Sequence, residues 1–174
     1  MFEEGFSTST VFDTKNQEFL NKKQYFYIKK IEIYHTDDGI LGFFPFFGDR
    51  GSDKKIMENS YYNQFISKMK DIKNILKDSK KEFKKEIIEL TEPLLNIKVV
   101  YDRDLQRIKS IKFSSQNQSI SIGSQNIDKK EFSLLYKKNC FISGMKTTYL
   151  NTSNGIQYLS YVKCYFGRFD EMYK

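Results

Sequence analysis

The sequence predicts an all-β domain of three antiparallel units around one core, with a single amphipathic helix inserted between them. Three observations carry this reading. Short runs rich in β-branched and aromatic residues follow one another, each bounded by a cluster of turn-forming residues. A six-residue apolar pattern occurs three times. One Lys-rich stretch has apolar residues at three- and four-residue steps, the period of a helix. At 174 residues the chain reads as one domain, 1–174, long enough to bury a core.

The first run is Val11-Phe12-Asp13, entered through a loop with Gly5 and a Ser/Thr cluster. Tyr25 to Tyr34 alternates apolar and charged letters from Ile31 on, which predicts a half-exposed strand. Asp38-Gly39 closes a turn and is the strongest hairpin signal in the chain. Ile40 to Phe47 returns as a very apolar strand. Pro45 lacks an N–H donor, so the strand is expected to lie at an edge or to bulge there. Between Glu58 and Lys77 the stripe Tyr62, Phe65, Met69, Ile72 and Leu76 predicts a helix with its lysines on the other side. Strands are then expected at 86–90, 94–101, 106–113, 119–122 and 132–136. The last hairpin, Cys140 to Phe166, turns at Asn151-Thr152-Ser153-Asn154-Gly155, residues that bond their own backbone or tolerate positive φ.

The repeat links these pieces. Ile28-Lys29-Lys30-Ile31-Glu32-Ile33, Ile108-Lys109-Ser110-Ile111-Lys112-Phe113 and Ile156-Gln157-Tyr158-Leu159-Ser160-Tyr161 share one order: aliphatic, two others, aliphatic, one other, apolar. The first interval is 80 residues and the second 48; the excess, 32, equals the length of segment 54–85. Removing that segment as an insertion leaves three evenly spaced units, hence a pseudo-threefold arrangement.

Charge and composition narrow the function. The net charge is +7, and segment 54–85 alone holds ten Lys against Glu58, Asp71, Asp78 and Glu82. Such a basic stretch raises nucleic acid as a partner. Arg is absent from it and its apolar stripe is continuous, so a packed helix with a solvated Lys face is the favoured reading. Lys70, Lys73, Lys77 and Lys80 are then the candidates for meeting an acidic protein surface. With one His and two Cys in apolar strands, no metal site, cofactor site or nucleophile–base pair is expected. Acidic pairs such as Asp37-Asp38 and Asp102/Asp104 sit in turn strings, so the chain is read as non-enzymatic. No apolar run approaches a membrane span, and no signal peptide is evident at the N-terminus, so an intracellular, cytoplasmic location is expected.

On these residues the chain resembles the jacalin-like lectins, whose β-prism has three Greek-key sheets. Gly5 through Val11-Phe12-Asp13 is similar to that family's N-terminal glycine loop, 86–113 to its paired middle strands, and 132–166 to its closing key. The resemblance implies carbohydrate binding, by a glycan or glycoprotein, at Gly5, Asn154, Gly155, Gln157, Tyr158 and Ser160. The family's sugar-binding Asp falls on Ser160, which cannot accept two hydroxyls as a carboxylate does, and the paired glycines of the N-terminal loop are missing. The implied site is therefore degenerate. The alternative is a module that has lost sugar binding and serves as a structural, protein-interaction subunit.

Overall fold

The computed structural model describes residues 7–13, 26–49, 55–56, 59–124, 127 and 129–172. Three antiparallel sheets enclose the core. In the first, β2 (Phe26–Thr36), β3 (Gly39–Asp49), β4 (Lys55–Ile56) and β5 (Lys84–Glu89) lie in the order β5-β2-β3-β4. In the second, β6 (Asn96–Asp102), β7 (Arg107–Ser114), β8 (Ser119–Gly123) and β9 (Lys130–Tyr136) lie in the order β9-β6-β7-β8. Both are Greek keys, with the fourth strand returning beside the first. The third sheet joins β1 (Ser7–Asp13) to the hairpin of β10 (Cys140–Asn151) and β11 (Gln157–Arg168), in the order β1-β10-β11. The two ends of the chain are thus zipped together, Val11 opposite Thr148 and Asp13 opposite Lys146. Helix α1 (Asn59–Leu76) joins β4 to β5, and a single turn, α2 (Phe169–Met172), follows β11.

Each sheet contributes its central hairpin to one apolar core, and each hairpin carries a bulge near its turn. His35 pairs with Ile40 and Tyr34 with Gly42, leaving Leu41 as the extra residue. Tyr101 pairs with Ile108 and Val100 with Ser110, leaving Lys109. Tyr149 pairs with Leu159 and Thr148 with Tyr161, leaving Ser160. In a regular strand, residues three apart point to opposite faces. The extra residue restores the parity, so Ile40 and Phe43, Ile108 and Ile111, and Leu159 and Val162 all enter the same core.

This corrects the repeat. The equivalent positions are Ile40, Ile108 and Leu159, not Ile28, Ile108 and Ile156. Ile28, Ile31 and Ile33 do line the core, but from the first strand of their key. Ile156 packs outside it, against the helix. The corrected intervals are 68 and 51 residues, an excess of 17 beside a helix of 18. Segment 54–85 holds more than the helix, since it also supplies β4 and the start of β5.

Helix α1 lies on the outer face of the first sheet. Its expected apolar stripe is the packed face: Met69, Ile72 and Leu76 are buried, joining Tyr34, Leu41, Ile156 and Tyr158. Phe65 stacks on Phe44, and Tyr62 meets Phe44 and Phe46 edge-on. A side chain at Gly42 would sit 3.0 Å from the Phe65 ring, so the glycine sets how closely the helix approaches. β2 is consequently buried on both faces, against the half-exposed expectation. Glu32 is only 4% exposed and receives the Tyr62 hydroxyl at 2.9 Å, with Lys30 and Lys85 at 3.6 and 3.9 Å from its other oxygen. A carboxylate under a helix is tolerable only with such partners. Pro45 meets its expectation: among the described residues β4 pairs only with Phe47 and Gly48, leaving that side of β3 without a strand partner at Pro45. Cys140 and Cys164 are free, buried thiols, and burial pushes that of Cys164 up to about 12.

Ile72 is fully buried. Ile72→Asp should therefore cost about 3–5 kcal/mol in denaturant unfolding, through the lost packing and a buried charge. Replacing the exposed Lys70, Lys73, Lys77 and Lys80 by Gln should leave the melting temperature nearly unchanged.

Burial first, and then the bond to Glu32, push the Tyr62 hydroxyl up to about 12 from 10.0. A raised pKa favours the neutral form when folded, so this stabilisation is complete below pH 10 and is lost as pH rises towards about 12. Tyr62→Phe should destabilise by about 1–2 kcal/mol near neutrality. Thermal melts of the two proteins should converge between pH 10 and 12.

Candidate functional site

The three bulged hairpins place their turns together, and each turn is stapled by a polar side chain. In the first, the Thr36 hydroxyl oxygen accepts from the Asp38 N–H at 3.1 Å. In the second, Asp102 Oδ1 accepts from the N–H groups of Asp104 and Leu105 at 3.0 and 3.1 Å. In the third, Asn154 Oδ1 accepts from the Ile156 N–H at 3.3 Å. The Thr152 hydroxyl lies between Asn154 Oδ1 and the Ile156 carbonyl, and its single proton goes to one or the other. Gly155 takes φ 85°, a left-handed conformation that glycine accepts without strain. These are local bonds made by Thr, Asp and Asn to nearby backbone.

Side chains then tie turn to turn. Arg107, 4% exposed, donates from Nη1 to the Asp38 carbonyl at 3.5 Å, and Lys109 donates to the Asp37 carbonyl at 3.1 Å. Gln157 donates to the carbonyl of the bulge residue Leu41 at 3.3 Å. Lys68 of the helix reaches the Gly155 carbonyl at 3.5 Å.

Between the turns is a cavity of about 270 Å³, lined by Asp38 from the first turn, Leu105 and Arg107 from the second, Thr152 to Asn154, Ile156 and Tyr158 from the third, and Lys81 after the helix. The Arg107 guanidinium sits 3.8 Å over the centre of the Tyr158 ring. Gly39 lies beneath both: a Cβ there would be 3.1 Å from Arg107 Cδ and 3.2 Å from Tyr158 Cδ1. Lys81 forms an ion pair with Asp38, and that bond holds its ammonium above the usual lysine range. Burial pushes the Tyr158 phenol up despite the nearby guanidinium, so the ring stays neutral.

Of the residues expected at a sugar site, Asn154 and Tyr158 line this cavity, and Gly155 shapes the turn beside them. Gln157 is buried, with its amide spent on Leu41. Ser160 lines a different groove, with Tyr161 and Phe132, and its hydroxyl donates to the Thr148 carbonyl at 3.0 Å, closing the bulge. Gly5 lies outside the described residues. Asp38, Lys81, Arg107 and Thr152 were not singled out by the sequence as site residues. Arg107 carried one signal: the chain has 25 Lys and only four Arg, and Arg is preferred where a planar cation must stack.

No family model and no curated protein matches the sequence. Solved structures do. The lectin MPA complexed with T-antigen disaccharide is 18% identical with a TM-score of 0.54, over 91% of this chain and 99% of that one. The artocarpin–mannotriose complex is 17% identical with a TM-score of 0.52, over 94% and 93%. The matches run over more than nine-tenths of this chain, and its three-sheet arrangement agrees with the pseudo-threefold one expected from the sequence. In fold, this chain is a divergent jacalin-like β-prism.

Proposed function

We propose that the chain is a non-catalytic, lectin-like binding module that takes a saccharide in the cavity between its three hairpin turns. The observation that carries this reading is the convergence there of an amide, hydroxyls, a carboxylate and a guanidinium on rigid hairpins. Saccharide hydroxyls need both donors and acceptors, and Asn154, Thr152 and Asp38 supply them. The two lectins that share the fold are in complex with a disaccharide and a trisaccharide. The site is degenerate for neutral monosaccharides. Ser160 brings no carboxylate and turns its hydroxyl to Thr148, while Arg107 occupies a face of Tyr158 that a sugar ring would otherwise stack on.

A second reading rests on the helix. Lys70 and Lys73 are exposed on α1, and Lys77 and Lys80 are exposed in the turn that follows it; their charge suits an acidic protein surface, governing encounter rate and salt dependence more than stability. In this reading the module is a structural subunit of a larger assembly. Nucleic acid is the less favoured partner of that face, because α1 carries no Arg. No helix among the described residues is long and apolar enough to cross a membrane.

Calorimetry should show that mannose and galactose bind no tighter than about 1 mM, roughly 4 kcal/mol. Micromolar binding of either would contradict the degenerate site. Replacing the four lysines by Gln should weaken capture of an acidic partner chiefly at low salt; unchanged capture at low salt would remove the second reading.

A further inference from the structure

Within the three-turn cavity, the cationic groups outweigh the anionic one. Arg107 and Lys81 line it against Asp38 alone. Just outside, Lys109 and Lys68 hold their ammonium groups on the Asp37 and Gly155 carbonyls of two of the turns. Arg107 is the best placed of the four. Its guanidinium is fixed by the Tyr158 ring on one face and the Asp38 carbonyl at Nη1, with Gly39 packed beneath, so it needs little reordering to receive a ligand. A guanidinium presents its N–H donors in a planar fork that matches a carboxylate or sulfate. Lys81 is a more mobile point charge, half exposed and held over the cavity by Asp38.

From this arrangement we infer that the module prefers an anionic saccharide, one whose carboxylate or sulfate is received by Arg107 and Lys81 while its hydroxyls meet Asn154 and Thr152. The inference rests on the saccharide-binding reading above and names the ligand class for that same site. It follows from what has changed in the cavity's surface. The aromatic face that suits a neutral pyranose is overlaid by a cation, and the acceptor carboxylate present, Asp38, is itself tied to a lysine. A neutral sugar would have to compete with those contacts. An anionic ligand instead balances the cavity's surplus positive charge, Arg107 and Lys81 against Asp38.

Titration calorimetry with three probes tests this: a neutral disaccharide, a uronic-acid disaccharide and a sulfated disaccharide of matched linkage, each at low and high salt. At least one anionic probe should bind about tenfold or more tighter than the neutral one, and the advantage should shrink with salt. Which anionic probe is preferred identifies the charged group. Lys81→Gln removes an exposed side chain and should weaken anionic binding severalfold without unfolding. Asp38→Asn removes the competing carboxylate and should strengthen it. Should Arg107→Gln fail to fold, those two variants still decide. Equal or tighter binding of the neutral probe overturns the inference and leaves the saccharide-binding reading standing. Binding of none of the three overturns both. Anionic binding that Lys81→Gln leaves unchanged and Asp38→Asn weakens also overturns the inference, because the charge would then be read elsewhere.

Discussion

The structure depends on one constraint, the parity of its three bulged hairpins. An antiparallel strand sends alternate side chains to opposite faces, so apolar residues three apart cannot share a core unless a residue is inserted between them. Leu41, Lys109 and Ser160 are those insertions. With them, Ile40/Phe43, Ile108/Ile111 and Leu159/Val162 point at one another from three sheets and exclude water together. The same local twist positions the turns just beyond the bulges, which is why three separate loops line one cavity. Core and cavity are two consequences of a single backbone device.

The three bulge residues also show how the inserted helix has been absorbed. At this outward position the second and third units carry Lys109 and Ser160, which suit water. The first carries Leu41, fully buried beneath α1. The helix likewise explains the burial of Glu32 and the need for the Tyr62 hydroxyl upon it. It does not stop at the sheet. Ile156 and Tyr158 belong to its apolar cluster, Ile75 packs beside Gly155, and Lys68 bonds the Gly155 carbonyl. The third turn is therefore braced from outside by the insertion and from inside by Gln157. A helix read from the sequence as packed on the domain thus also helps to shape the candidate site.

Much of the fold was legible because its signals are local. Turn chemistry at Thr36–Gly39, Asp102–Asp104 and Asn151–Gly155, the apolar strand runs and the helical stripe each follow from a few neighbouring residues. The repeat reached the correct symmetry through the wrong register. Ile156-x-x-Leu159 obeys the same letter pattern as Leu159-x-x-Val162, and only the pairing of Tyr149 with Leu159 tells which one faces the core. Glu32 was misjudged because nothing in an alternating strand announces a helix packed on its polar face. The cavity was least legible. Asn154 and Tyr158 come from one turn, whereas Asp38, Lys81 and Arg107 lie 26 to 120 residues from them or from one another along other parts of the chain, and meet only through the tertiary arrangement.

The claim that three turns make one site is tested most directly by following backbone amides by NMR during addition of a disaccharide that binds. The account predicts that amides from all three turns, those of Asp38, Gln106, Arg107, Asn154 and Gly155, move together with one apparent affinity. Shifts confined to the groove beside Ser160 and Tyr161, or to a single turn, would contradict it.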